Sequence, residues 1–273
     1  MPGWSHIKIR KWYLSGSILR LNINMSLVKI SHYSPSDITW LAPGTCDFNV
    51  NFHTDIWRIN ISSNLSYLDR LSSLINAAEA ERANRYLQIR DKNRFVISRG
   101  ALRIILAAYL NQQPSLIEFE TGTNKKPFLK NTPLSYNVSH AGDWIVIAVA
   151  DKPIGADVER VDPSFDYQDI IAGYFSPEEA KYIREDDAHS RFFLLWTRKE
   201  ALTKATGKGL DDDLKFIPSL NGEYAVDNDL LKSSSDWQVN SLELYQGYLA
   251  TFAVAETAGH PRFRDIDLSK NSL

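Results

Sequence analysis

The sequence predicts an α+β fold of two similar α/β halves related by pseudo-twofold symmetry, each a small antiparallel sheet packed with a long helix. Two observations carry this. A long helical pattern is followed by a strand-pair pattern twice, at 92–110 then 134–150, and at 190–206 then 237–254. The 273 residues, 44% hydrophobic and 23% charged, supply core for one large domain or two modest ones and argue against disorder across most of the chain.

Residues 1–45 read as an uncertain leader without a clean period, broken by Ser34-Pro35-Ser36 and Ala42-Pro43-Gly44. The leader lacks the apolar core of a signal peptide, and Met25 is an alternative start, with the first 24 residues an upstream over-reading. Residues 46–150 form the N-terminal half. A strand over 55–61 alternates, Asn64 caps a helix over 65–74, and 77–88 is helical. Asp91 caps the long helix 92–110, whose buried side includes Phe95, Leu102, Leu106 and Tyr109. A short strand (116–120) and a turn-rich loop to Pro127 precede strands 134–139 and 144–150, joined by His140-Ala-Gly-Asp143 with glycine at the bend.

Residues 151–258 repeat the plan and form the C-terminal half. A strand covers 154–160 and a short helix 167–172. A second, over 177–183, has Ser176 as cap and Pro177 at its first position. Gly207 closes the helix 190–206, and strands follow at 216–219, 237–244 and 248–254. Residues 259–273 are polar and read as a flexible tail.

Composition excludes several classes. Cys46 is the single cysteine, so no intramolecular disulfide and no cysteine-rich zinc or iron–sulfur site can form. A net charge of −2 disfavours a globally basic nucleic-acid binder, and apolar runs such as 144–150 are too short to span a bilayer. The expectation is a cytoplasmic protein with neither nucleic acid nor membrane as partner. The charge is nonetheless segregated. Residues 77–108 hold Arg82, Arg85, Arg90, Lys92, Arg94, Arg99 and Arg103 against three acids, whereas 157–189 is strongly acidic. Such a chain carries either solvated helix faces or a phosphate-binding face and a metal-binding face.

Four groups of residues bear chemistry. In Gly155-Ala-Asp157-Val-Glu159, positions two apart share a strand face, so both carboxylates point one way and Val158 points into the core. They are either solvated or neutralised by a hard divalent cation. On the helix, Trp196, Glu200 and Lys204 stack at i, i+4 and i+8, with Lys199 beside them. Glu200 is either a plain salt-bridge partner or a third acid, with the lysines gripping phosphate oxygens. Ser139-His140 ends a strand, where the histidine is either structural or a ligand contact. In Lys125-Lys126-Pro127 the proline fixes the chain beside a lysine suited to a phosphate.

The order and spacing of these groups, from Lys-Pro through Ser-His and Gly-x-Asp-x-Glu to Trp-x-x-Lys-Glu-Ala-x-x-Lys, resembles the 4′-phosphopantetheinyl transferase superfamily, in its monomeric Sfp-type form, over roughly residues 77–210. The resemblance implies transfer of the phosphopantetheine arm of coenzyme A to a serine of an apo acyl or peptidyl carrier protein, releasing adenosine 3′,5′-bisphosphate. It implies that Asp157, Glu159 and Glu200 hold Mg²⁺, with Mn²⁺ as a substitute. Lys199 and Lys204 then sit by the phosphates, Lys126, Ser139 and His140 contact coenzyme A, and Arg82 and Arg94 meet the 3′-phosphate. Glu200 and Lys204 are the catalytic pair, Glu200 being favoured over Glu159 as the base. Carrier domains of nonribosomal peptide, polyketide, fatty-acid and lysine-biosynthesis systems all fit. Two other classes share the acids and the basic face: a metal-dependent coenzyme A or nucleotide pyrophosphohydrolase, and a non-catalytic coenzyme A or carrier-binding module. The lack of a P-loop or Nudix-type helix counts against the first.

Overall fold

The computed structural model describes residues 24–51, 53–122, 126–255 and 260–268. Residues 1–23 and Lys125, which carried sequence expectations, lie outside them. The architecture is α+β. One sheet has the order β2-β12-β3-β7-β6, made from β2 (Trp40–Leu41), β3 (Thr54–Asn60), β6 (Ser135–Ala141), β7 (Trp144–Ala150) and β12 (Pro261–Asp265). The other has the order β8-β11-β10-β1-β9, made from β1 (Met25–His32), β8 (Ile154–Arg160), β9 (Gly222–Asp227), β10 (Trp237–Tyr245) and β11 (Tyr248–Ala255). A small hairpin pairs β4 (Phe119–Thr121) with β5 (Pro127–Leu129).

The expected repeat is present in the connectivity. Each half runs strand, helices, strand, strand, and its last strand lies between the other two. Thus β7 pairs antiparallel with β3 and β6, as β11 does with β8 and β10. β7 suits the middle place because all its residues are apolar and buried.

Side-chain alternation then builds the layers. Trp57, Ile59, Ile145 and Ile147 face Ile97, Leu102 and Ile105 of the long helix α3, which follows α1 (Leu68–Ser72) and α2 (Ala77–Asn84) and spans Ile89–Leu110. The alternate residues Ile56, Val146 and Ala148 meet Ala156, Val158 and Phe252 of the other sheet. That sheet's far side, with Val28, Val239 and Ala253, is covered by Ala201, Leu202 and Ala205 of α6 (Ala188–Thr206), which follows α4 (Gln168–Tyr174) and α5 (Pro177–Ile183). Each large aliphatic side chain buried here contributes about 1.5–3 kcal/mol. Among the described residues no helix is long and apolar enough to cross a membrane.

Both halves anchor the long helix with the same device. A capping box starts the short helix, Asn76 with Glu79 on α2 and Ser176 with Glu179 on α5. The box glutamate is buried and ion-paired to the long helix: Glu79 to Arg99 and Arg103, both at 2.8 Å, and Glu179 to Lys199 at 3.0 Å. The cation then caps carbonyls of the turn that follows, Pro114 and Ile117 for Arg103, Leu214 and Ile217 for Lys199.

The structure departs from expectation at both ends of the described chain. The second part of the supposed leader is β1, parallel to β10 with Val28 opposite Trp237, and antiparallel to β9. The supposed tail contains β12, parallel to β3 with Phe263 opposite Ile56. Each terminal strand therefore completes the sheet of the opposite half. The arginines that make β12 look polar have a buried partner. Asp55, fully buried, accepts from Arg262 through both carboxylate oxygens at 2.7 Å and from the Tyr109 hydroxyl.

Smaller departures have local causes. α3 begins at Ile89 with Gln88 as N-cap, so Asp91 lies in its first turn, where an acid suits the helix dipole, and pairs with Arg94 at 2.8 Å. The strand expected at 216–219 is absent. Ser219 gives its carbonyl to the buried Arg198, while those of Leu214 and Ile217 go to Lys199.

Candidate active site

The site forms where β6, an edge of one sheet, meets β8, an edge of the other. Asn137 ties the edges, its Oδ1 accepting from the Ala156 amide at 2.9 Å. On β8 the face bearing Gly155, Asp157 and Glu159 looks at α6. A Cβ on Gly155 would lie 2.1 Å from the Ala201 carbonyl oxygen and 2.3 Å from the Ala205 nitrogen. The helix therefore rests on bare strand backbone, and the small Ala201 and Ala205 permit it. This contact brings Glu200 and Lys204 over Asp157. Gly207, at φ 74°, ends α6 in the left-handed conformation, as expected.

The Lys204 ammonium lies 2.6 Å from Asp157 Oδ1 and 3.1 Å from Glu200 Oε2. Ser139 donates its hydroxyl to the same Asp157 Oδ1 at 2.9 Å. Asp157 is only 2% exposed, and its Oδ2 is buried without a hydrogen-bond partner. Burial raises the Asp157 pKa, Lys204 opposes the rise, and Glu200 adds to it. Glu159 is pushed up to about 7, first by burial, then by the charges of Asp157 and Glu200. Burial works against the Lys204 charge, but Asp157 and Glu200 outweigh it and raise its pKa. One lysine thus balances three mutually repelling acids incompletely.

Among the described residues no three His, Cys, Asp or Glu side chains converge as a ready metal cage. The donor chemistry nevertheless fits a hard divalent cation, with carboxylate oxygens only and one of them buried and unpartnered.

The basic wall stands beside the acids. His140 follows Ser139 on β6 and is exposed. Its pKa is lowered by desolvation, then by the nearby charges of Arg94 and Lys204. Arg94 is half-buried on α3, while Arg82 lies exposed on α2 with its guanidinium over the Phe95 ring.

Of the residues predicted to form a site, the structure brings together Arg94, Ser139, His140, Asp157, Glu159, Glu200 and Lys204. Two others it places elsewhere. Lys199 is completely buried and held by Glu179 and two carbonyls, so it faces away from any phosphate. Lys126 donates to the carbonyls of Ile154, Lys204 and Ala205 at 3.0, 2.6 and 3.4 Å. Its three N–H donors are thereby committed to the start of β8 and the last turn of α6, where a cation suits the helix dipole. Burial lowers its pKa to about 8. Asn137 was not singled out as a site residue, although its place two before Ser139 on a strand puts both on one face.

The raised Glu159 pKa has a consequence for stability. Folding takes up protons at this group between its ordinary value of 4.5 and about 7, so its favourable contribution is complete below that window and lost as pH rises through it. With a chelator present, Glu159→Gln should match the unchanged protein in acid and unfold at a higher temperature in mild alkali. Thermal melts of the two proteins that run parallel at every pH would contradict this.

Residues 153–253 match the family described as 4′-phosphopantetheinyl transferase superfamily, and residues 60–152 that described as 4′-phosphopantetheinyl transferase, N-terminal. The chain is 28% identical to 4′-phosphopantetheinyl transferase HetI of Nostoc sp. over 82% of its own length and 97% of that protein's. It is 30% identical to a 4′-phosphopantetheinyl transferase of Bacillus subtilis, over 72% of this chain and 88% of the relative. It is 28% identical to the transferase Sfp of Bacillus subtilis strain 168, over 71% and 87%. The protein is an enzyme of the transferase class. It belongs to the 4′-phosphopantetheinyl transferase superfamily.

Proposed function

We propose that the protein moves the 4′-phosphopantetheine arm of coenzyme A onto a serine of an apo acyl or peptidyl carrier protein, with Mg²⁺, and releases adenosine 3′,5′-bisphosphate. The observation that carries this is the meeting of Asp157, Glu200 and Lys204 at 2.6 and 3.1 Å, beside a wall bearing His140 and Arg94. A substrate with a pyrophosphate and a separate 3′-phosphate needs both surfaces at once.

Arg94 and Arg82 bind the 3′-phosphate, and Ser139 and His140 orient the nucleotide. His140 offers its ring nitrogens as hydrogen-bonding partners. Asp157, Glu159 and Glu200 would hold the Mg²⁺ ion. Bound there, it withdraws charge from the pyrophosphate as the phosphoanhydride breaks. Lys204, with its side chain 32% exposed, reaches from the acids toward the phosphate oxygens. Glu200, more exposed at 18% than Asp157 at 3%, takes the serine proton directly or through a water. The serine oxygen bonds to the phosphorus of the arm, and the bond from that phosphorus to the bridging oxygen breaks. The bridging oxygen leaves with the bisphosphate, its new charge met by Lys204.

The test is the dependence of bisphosphate release on the acceptor. With coenzyme A and Mg²⁺, chromatography should show adenosine 3′,5′-bisphosphate only when an apo carrier domain is present. Equal release without the carrier would identify a pyrophosphohydrolase.

A further inference from the structure

We infer that Lys204 is a resident counter-ion of the acidic cluster, which a divalent cation must displace from Asp157 and Glu200 in order to bind. The inference rests on the reading of Asp157, Glu159 and Glu200 as the metal site, and it concerns what fills that site beforehand.

Three observations carry it. First, the ammonium stands between two of the three carboxylates, 2.6 Å from Asp157 and 3.1 Å from Glu200. That is contact distance for a charge-assisted hydrogen bond. Second, it engages only one oxygen of Asp157. Oδ2, on a side chain 3% exposed, has no partner. A point charge on a single stem leaves an acceptor unused that an ion with several coordination positions would take. Third, the lysine is free to leave. Its side chain is 32% exposed, unlike that of the wholly buried Lys199 five residues before it, so its ammonium can turn to solvent or to a phosphate, provided that an incoming cation takes over the charge of the buried Asp157.

The two cations are therefore antagonists. While Lys204 bridges Asp157 and Glu200, their charge is partly spent and the pair is not open to a second cation. When a phosphorylated substrate draws the ammonium away, the same carboxylates are released together.

Titration of the full-length chain with Mn²⁺ alone, followed by the electron paramagnetic resonance of free Mn²⁺, tests this in mild alkali, where the acids are ionised. Lys204→Met removes the competing charge. Lys204→Gln removes it while keeping a hydrogen-bond donor for Asp157, in case the methionine variant folds poorly. Either folded variant should bind Mn²⁺ about tenfold more tightly or better than the unchanged protein, by analogy with the scale on which a neighbouring positive charge lowers the proton affinity of a carboxylate. Adding Asp157→Asn to the same variant should remove the gain.

If the unchanged protein binds Mn²⁺ and neither lysine variant binds it more tightly, the counter-ion role is refuted while the metal site stands. A gain that survives Asp157→Asn also refutes it, because the ion is then elsewhere. If none of the proteins binds Mn²⁺, the metal site itself falls, and the inference falls with it.

Discussion

Glu200→Gln should slow transfer about 10²–10⁴-fold, the usual worth of a positioned general base, while coenzyme A still binds. The substitution keeps the shape of the side chain, an oxygen for a metal and the helical spacing to Lys204. Lys204 retains its closer partner, Asp157, at 2.6 Å, so the cluster does not lose its counter-charge. Arg94 and His140, which bear the nucleotide in this account, lie on other elements. What disappears is the charge of residue 200, and with it both part of the hold on the metal and the ability to accept a proton from the incoming serine. Single-turnover transfer and calorimetric binding of coenzyme A separate loss of transfer from loss of substrate binding. Near-normal turnover would remove Glu200 from the mechanism, and a parallel loss of coenzyme A binding would make it a binding residue.

Gly155→Ala should be as damaging, though nothing in its chemistry changes. The added Cβ would meet the Ala201 carbonyl oxygen at 2.1 Å and the Ala205 nitrogen at 2.3 Å. Both are backbone atoms, so no side-chain rotation relieves the clash and α6 must move off β8. Overpacking of this kind costs about 1–3 kcal/mol, occasionally more. The catalytic cost is of similar size, because α6 brings Glu200 and Lys204 to Asp157, and a displacement of about 1 Å in such a site is worth about 10²-fold in rate, or about 2.7 kcal/mol. Denaturant unfolding should show the loss of stability, and steady-state transfer by the folded variant the loss of rate. Unchanged stability together with an unchanged rate would mean that the helix does not rest on this glycine.

What the sequence displayed of this enzyme follows the range of the interactions involved. The acids of β8 and the Glu200–Lys204 pair were legible because period-two and i, i+4 spacing place each pair on one face before any tertiary contact is known. β7 and β8, whose patterns are local, were found nearly residue for residue. β1 and β12 were not, because each pairs with a strand at the far end of the chain. Val28 lies opposite Trp237, and Arg262 takes its counter-charge from Asp55. Without these partners, one segment looks patternless and the other looks like a charged tail.

Lys126 and Lys199 show a second limit. Residue type and spacing marked both as phosphate contacts, yet both ammonium groups turn to backbone carbonyls, and Lys199 also to a buried glutamate. A lysine's long stem leaves the position of its charge undetermined by the position of its Cα. Glu79 and Glu179, three residues into similar capping boxes, were the available hint that each long helix carries a buried cation on its inner side.

The most direct test of the central claim is the intact mass of an apo carrier domain incubated with this protein, coenzyme A and Mg²⁺. The account predicts that the carrier gains the mass of one phosphopantetheine group, and that replacing its acceptor serine by alanine prevents the gain. A carrier that stays unmodified while coenzyme A is cleaved would contradict it.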